Sequence, residues 1–311
     1  MARFVTIAAG QLGPIARSET RTAVVARLMA LMRQARACGC DLIVYPELAL
    51  TTFFPRWYFE DQSDIDSFFE REMPGPETQP LFDLARELGI GFCLGYAELA
   101  AEAGIVRRYN TSILVDKSGA IVLKYRKVHL PGHAEHEPWR EFQHLEKRYF
   151  EPGNGFGVVD AFGGVMGMAI CNDRRWPETF RCMGLQGVEL VAIGYNTPSV
   201  NAQMSDEGLD KRLFHSELSL QAGAYQNATY VVGVAKAGVE DGHPLMGGSI
   251  IVDPDGFILA KAMTEEDELI IAECDFAKCD FGKKTIFDFE RHRRIEHYGR
   301  ITSQTGAIVE V

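Results

Sequence analysis

Three positions in the sequence place a reactive side chain where an apolar run gives out. Glu47 follows Pro46 at the end of DLIVYPEL, Lys127 stands where AIVLKYRK meets a loop holding Pro131 and Gly132, and Cys171 follows GVMGMAI and precedes Asn172, Asp173 and Pro177. Loops at strand exits are where a rigid scaffold presents functional groups. A cysteine there can attack a carbonyl carbon, a neighbouring ammonium favours its thiolate, and a carboxylate can carry protons. Each residue alone also has an ordinary reading. Glu47 would serve as a solvated strand cap, Lys127 with Lys124 and Arg126 as charges guarding a sheet edge, and Cys171 as a structural thiol. Among the seven cysteines Cys171 is the best placed, because Cys93 and Cys274 fall inside apolar β-type runs and Cys38 and Cys40 at a helix end.

The surrounding pattern predicts what must hold these groups. FVTIAAGQL (Phe4 to Leu12) and DLIVYPEL (Asp41 to Leu48) are short apolar runs, and between them Val24, Leu28, Leu31 and Met32 follow helical spacing, giving a β-α-β opening. A helix around Thr78 to Leu88, a strand in Gly89 to Leu99 and a hairpin of NTSILV and AIVLKY follow. A comparable series runs through GVMGMAI, a helix after Pro177, VELVAIGY, a helix around Leu209 to Gln226, and ATYVVGVA. It closes on SIIVDPDGFILAK (Ser249 to Lys261), which aligns without gaps on SILVDKSGAIVLK (Ser112 to Lys124). Two similar series, each with a late hairpin, predict an α/β fold: a four-layer α-β-β-α sandwich of two mixed sheets with helices on both outer faces. No linker-like stretch divides residues 1–275, so they form one expected domain, with 276–311 as a C-terminal arm.

Taken together, YPELAL, YRKVHLP and MAICNDRRWPE resemble, in order and type, the signature regions of the nitrilase (carbon-nitrogen hydrolase) superfamily. The resemblance implies a Glu-Lys-Cys triad at Glu47, Lys127 and Cys171, and no metal or other cofactor. Within the superfamily, TTFFPRW, EMPGP, RYNTSILVDKSG, FQHLEKRYFEPG, GYNTP and QAGAYQN are similar to the branch that hydrolyses N-carbamoyl-D-amino acids to the D-amino acid, ammonia and carbon dioxide. The similarity is weakest from Ser199 to Lys211 and after Cys274. Alternatives within the superfamily are β-ureidopropionase, carbamoylputrescine amidase and aliphatic amidase chemistry; outside it, a non-catalytic scaffold of the same fold. In the expected mechanism Cys171 attacks, Lys127 and the backbone N–H of Asn172 hold the oxyanion, and Glu47 shuttles protons. Glu146, in FQHLEKRYF, matches a family position near the site and is a second catalytic carboxylate candidate. Its ordinary reading is one member of a charged Glu146-Lys147-Arg148 surface.

The substrate side is carried by Arg174 and Arg175, successive guanidinium groups suited to a carboxylate, of which at least one should face the pocket. They point to a small carboxylated carbamoyl substrate and disfavour a diamine product, while a D configuration follows from the resemblance alone. Asn196 and Thr197, at the end of another strand, are expected to add polar contacts. His129 and His144 either line the pocket or serve structure. His129, His133 and His136 with Glu135 lack a fixed i, i+4 ligand geometry, so no metal site is expected.

Composition excludes several partners. A formal charge of −11 and a pI near 5.3 argue against nucleic acid, and the basic residues between Lys283 and Arg294 are interleaved with Asp288, Glu290 and aromatics. No apolar run approaches the roughly 20 residues that would cross a bilayer. An odd, irregular set of seven cysteines suits a reduced, cytoplasmic compartment. By the family resemblance the chain is expected to form a homodimer or homotetramer, with Phe281, Ile286, Phe287 and Phe289 of the arm as candidate contacts.

Overall fold

The computed structural model describes residues 2–140, 142–200 and 207–309; the outer ends of both expected segments, Met1 and Val311, lie outside the described residues. Among the described residues fourteen strands run in order: β1 (Phe4–Gln11), β2 (Leu42–Val44), β3 (Gly91–Glu102), β4 (Ile105–Val115), β5 (Ile121–Arg126), β6 (Val158–Ala161), β7 (Gly164–Ile170), β8 (Leu190–Tyr195), β9 (Tyr230–Ala235), β10 (Ala237–Glu240), β11 (His243–Met246), β12 (Ile250–Val252), β13 (Ile258–Lys261) and β14 (Glu268–Asp275). The helices that matter below are α1 (Arg21–Ala37), α2 (Gln79–Leu88), the single turn α3 (Glu146–Tyr149), α4 (Pro177–Gly184), α5 (Leu209–Tyr225) and α6 (Ala277–Lys284).

Two six-stranded sheets form, in the orders β14-β1-β2-β3-β4-β5 and β13-β12-β9-β8-β7-β6. In each, three central strands are parallel and the flanking pairs antiparallel. The expected sandwich of two mixed sheets is therefore the observed one. Alternation along β1 shows how the layers separate: Ile7 and Ala9 join the core shared with Met166, Met168 and Ile170 of the second sheet, whereas Ala8 joins the one under Val24, Leu28 and Leu81 of α1 and α2. On the far side of the second sheet, Phe180 and Met183 of α4 and Leu220 and Ala224 of α5 are buried.

The matching hairpins occupy corresponding places, β4–β5 and β12–β13, at one end of each sheet. Their likeness extends to irregularities. Both shift register, between Leu114 and Val115 and between Ile251 and Val252, and in both turns the aspartate accepts from backbone N–H groups two and four residues on, Asp116 from Ser118 and Ala120, Asp253 from Asp255 and Phe257. Gly119 and Gly256 take φ of 83° and 85°, a left-handed conformation that completes the turn.

Three pairings go beyond the sequence reading: β6, the hairpin β10–β11, and β14, which closes the edge beside β1. In the segment after 275, Phe276 and Cys279 are fully buried in the core between the sheets, while Phe281 and Ile286 are exposed. Its first helix, α6, thus packs on its own chain. Among the described residues no helix is long and apolar enough to cross a membrane.

Candidate active site

Glu47 corrects the sequence reading in detail. It is expected as the last residue of a strand, but β2 ends at Val44 and Glu47 lies in the turn beyond, followed by Leu48 at φ 47°. Two glycines permit that turn: a Cβ on Gly95 of β3 would meet the Pro46 carbonyl at 2.6 Å, and one on Gly194 of β8 would meet the Glu47 nitrogen at 2.5 Å. Both sheets therefore press on Pro46–Glu47 from either side. Nor is Glu47 a solvated cap, since it is wholly buried.

Lys127 leaves the end of β5, and its ammonium donates to Glu47 Oε1 at 2.7 Å and to Glu146 Oε2 at 2.6 Å, all three side chains being fully buried. A surface-edge role for Lys127 and a surface role for Glu146 are both excluded by this burial. Asn110 of β4 donates to the same Glu47 oxygen at 2.7 Å, and His144 Nε2 pairs with Glu146 Oε1 at 3.0 Å. Burial raises the Glu47 pKa; the Lys127 cation opposes this, and the facing Glu146 adds to it. For Glu146 burial works in the same direction but is outweighed by Lys127 and His144, which hold its pKa below the usual value. Burial alone would lower Lys127; Glu146, Glu47 and Cys171 outweigh it and raise its pKa, keeping the amine charged. Lys127 and His144 together favour the anion at Glu146, while burial favours the protonated form at Glu47. Its second oxygen, Glu47 Oε2, is buried with no protein partner among the described residues.

Cys171 begins a short 3-10 turn at the exit of β7 and has φ 46°, a left-handed conformation costing a non-glycine residue about 1–3 kcal/mol. Asp173 holds this turn. It accepts from the Ile170 N–H at 3.0 Å and the Tyr125 hydroxyl at 2.6 Å, and from the His129 N–H at 2.9 Å, while its Oδ1 also pairs with His129 Nδ1 at 2.8 Å. The cysteine turn is thereby tied to the chain just after Lys127.

A cavity of about 240 Å³ opens on Cys171. His144, Asn196 and Thr197 line it beside the thiol, Arg175, Arg212, Arg140, Glu207 and His215 contribute charge or hydrogen bonding, and Phe142 and Val200 contribute apolar surface. Asn196 is 1% exposed, and among the described residues neither its amide oxygen nor its nitrogen has a protein partner. Thr197 Oγ1 lies 3.8 Å from Cys171 Sγ. Loss of hydration in the pocket wall, then repulsion from Arg174, lower the Arg175 pKa to about 10, which leaves it cationic at neutral pH.

Three expected substrate contacts are placed elsewhere. Arg174 is buried beneath the cavity instead of lining it, donating to the Cys171 carbonyl at 2.7 Å, Thr197 Oγ1 at 3.1 Å and Ser216 Oγ at 3.2 Å, with its guanidinium 4.5 Å over the Tyr195 ring. In a tight turn consecutive side chains diverge, so only Arg175 reaches the cavity. The Asn172 side chain bridges the His129 carbonyl and Arg175 Nη1, both at 3.1 Å, off the cavity wall. His129 stacks on Trp176 and serves Asp173. The loop histidines diverge as well, His133 to Gln143 and His136 onto the Tyr58 ring. Among the described residues no group of three or more His, Cys, Asp or Glu side chains is arranged to hold a metal ion. Activity is expected to survive exhaustive dialysis against a chelator; loss restored by a divalent metal would contradict that.

Asn110, Asp173, Arg212 and Glu207 were not singled out from the sequence. Asn110 offered only a weak signal, a carboxamide among the polar residues that open the β-type run NTSILV. Its hydrogen bond favours ionised Glu47 against the dominant effect of burial, so Asn110→Leu should raise the Glu47 pKa further and move the acid limb of the kcat/KM profile to higher pH. An unmoved limb in an active variant would count against Glu47 as the titrating base.

A sandwich of two mixed sheets that gathers a cysteine, a lysine and two carboxylates at one rim is an enzyme architecture, and comparison with known proteins identifies which. The carbon-nitrogen hydrolase family model matches residues 6–284. An N-carbamoylputrescine amidase from Solanum lycopersicum is 30% identical over 98% of this chain and 97% of its own length, and an (R)-stereoselective amidase from Pseudomonas sp is 29% identical over 84% of this chain and 82% of its own. The crystal structure of a carbon-nitrogen hydrolase from Helicobacter pylori G27 superposes with a TM-score of 0.82 at 22% identity, covering 97% and 99% of the two chains. The chain belongs to the carbon-nitrogen hydrolase family, within the nitrilase superfamily, and is an amidohydrolase.

Proposed function

We propose that this enzyme hydrolyses N-carbamoyl amino acids, with Arg175 holding the substrate carboxylate and Cys171 attacking the carbamoyl carbon. One observation carries the reading: Arg175 enters the cavity that opens on Cys171, and among the described residues no carboxylate lies within ion-pairing distance of it. The other arginines of the wall are already engaged, Arg212 with Glu207 at 3.0 Å and Arg140 with Glu137. A D preference rests on the sequence resemblance and is supported by the similarity to an (R)-stereoselective amidase.

In this mechanism the Cys171 thiolate forms a bond to the carbamoyl carbon and the carbonyl electrons move onto oxygen. Lys127 and the Asn172 backbone N–H stabilise that oxyanion. Its collapse expels one of the two carbamoyl nitrogens as an amine, protonated by Glu47, which holds the proton taken from the thiol; water, giving a proton back to Glu47, then cleaves the S-carbamoyl intermediate and frees the thiolate, and the released carbamic acid breaks down to carbon dioxide and the second amine. Glu146 stays ionised and keeps Lys127 charged and in place. Covalent addition at the active-site cysteine of a Nesterenkonia amidase, a structure with TM-score 0.70 and 21% identity to this one, supports the nucleophile assignment.

The second reading, N-carbamoylputrescine hydrolysis, is favoured by the relatives. Its substrate would bring an ammonium into the cavity. Among the described residues the one acidic wall residue, Glu207, already engages Arg212 and His215, each at 3.0 Å, so their charge balance favours an anion. Ammonia release across N-carbamoyl-D- and L-amino acids, N-carbamoylputrescine and simple amides separates the readings. The D-carbamoyl acids should give the highest kcat/KM; a higher value for N-carbamoylputrescine would overturn the assignment.

Arg175→Lys should raise KM for carboxylated substrates about 10- to 100-fold, the scale of a lost hydrogen bond to a charged group, and leave a neutral amide nearly unaffected. Arg174→Lys, touching the cysteine turn and not the cavity, should instead lower kcat for both substrate types. The opposite pattern would exchange the roles of the two arginines.

A further inference from the structure

A second buried charge cluster lies outside the groups already described. Glu240 ends β10, Lys236 follows β9, and Arg56 closes the turn Phe54–Arg56; their exposures are 0%, 0% and 3%. Glu240 Oε1 accepts from Arg56 Nη2 and the Phe53 N–H, both at 2.7 Å, and from Thr52 Oγ1 at 3.2 Å. Its Oε2 accepts from Lys236 Nζ at 2.7 Å and the Ile15 N–H at 3.0 Å, while Lys236 also donates to the Thr51 carbonyl at 2.8 Å. One carboxylate thus gathers the 51–56 loop against β10 and the end of β9.

That loop in turn holds the chain leading to Glu146. The Arg56 carbonyl accepts from the Gln143 N–H at 3.1 Å and the Pro55 carbonyl from the Leu145 N–H at 2.8 Å, so the backbone on each side of His144 is pinned to it. Phe53 meets the His144 ring edge-on at 5.6 Å. Three buried charges are a costly way to fasten a loop, and ion pairs of this kind are weak contributors to stability. What they supply is direction, which apolar packing of Phe53 and Phe54 cannot, because hydrophobic contact tolerates sliding where a charge-assisted hydrogen bond does not.

We propose that Glu240 is a positioning residue: through Arg56, Lys236 and the 51–56 loop it sets where His144 and Glu146 stand against Lys127. It touches neither the cavity nor the reacting atoms. The inference rests on the reading that Glu146 acts in turnover. Displacing a positioned group by an ångström can cost on the order of 100-fold in rate.

The test compares Glu240→Gln, Glu146→Gln and the double variant, each verified as folded by circular dichroism and thermal melting, with N-carbamoyl-D-amino acids as substrate. Glu240→Gln keeps shape and loses charge, so kcat should fall about 10- to 100-fold with KM little changed, because Arg175, which holds the substrate carboxylate, and the wall formed by Asn196 and Thr197 are untouched. The double variant should be hardly slower than Glu146→Gln, since Glu240 acts through that residue. Should Glu240→Gln not fold, Arg56→Lys carries the same test: it retains the charge but cannot bond Glu240 and the Phe53 carbonyl together. Parental kcat in a folded variant, or fully additive losses in the double, would overturn the proposal. An active Glu146→Gln would instead refute the role of Glu146, which separates the two failures.

Discussion

Replacement of Cys171 by Ala is expected to lower kcat by at least about 10⁴-fold, the scale of removing a covalent nucleophile, while carboxylated substrate still binds. The two effects part because the groups are different. Chemistry needs the thiol at the exit of β7, whereas binding needs Arg175, Asn196 and Thr197, whose positions rest on β8, α5 contacts and the turn held by Asp173. At φ 46° the change from cysteine adds no new strain, since both residues carry a Cβ. Cys171→Ala should therefore melt close to the parent and bind N-carbamoyl-D-amino acids by calorimetry. A folded variant that keeps near-parental turnover would sink the mechanism. Loss of binding together with turnover would show that the thiol side of the pocket is part of the carboxylate site.

The contrast between the legible and illegible parts of this site follows from range. The hairpins could be read because an Asp-x-x-Gly turn between β-rich runs is a local pattern, and the structure shows even the register shifts repeating. The apolar runs of β1, β3, β7, β8 and β9 were equally local. β14 escaped because its identity as a strand comes from a partner far along the chain, β1, some 260 residues away, whereas β10 and β11 form a local hairpin whose short segments, AGVE and HPLM, carry Gly and Pro and lack a β-type pattern. Adjacent Arg174 and Arg175 could not be told apart, since sequence spacing inside one tight turn does not say which guanidinium points to the cavity and which to Tyr195. Glu146 was a candidate only through the family resemblance of FQHLEKRYF, since its own chemistry gave no local signal. Its neighbours Lys147 and Arg148 make a charged stretch, and only Lys127 and His144, brought in by separate loops, turn its carboxylate into a buried anion.

Lys127→Met should both abolish turnover and destabilise the fold, by about 3–5 kcal/mol, the cost of leaving a buried charge without its partner. In the parent this lysine separates two fully buried carboxylates. Without it Glu47 and Glu146 face each other with no cation between, so at least one must hold a proton in the folded state. The sign of the pH dependence follows. A carboxyl whose folded pKa stands above its unfolded value binds more protons when folded, so stability is lost as pH rises from the unfolded value through the folded one. Glu47 already has a raised pKa and Glu146 a lowered one; removing Lys127 pushes both upward. In the parent, Glu146 contributes stability above its unfolded pKa that is lost only as pH falls through its lowered folded pKa. The raised pKa of Lys127 contributes stability below the ordinary lysine value that is lost as pH rises through the folded one. The deficit of Lys127→Met relative to the parent should accordingly be largest at neutral pH and shrink toward about pH 5, near the ordinary carboxylate range. Urea denaturation of both proteins between these pH values measures it directly. A deficit independent of pH would mean that the loss is one of packing alone, and a variant of parental stability would show that the two carboxylates do not need a cation between them.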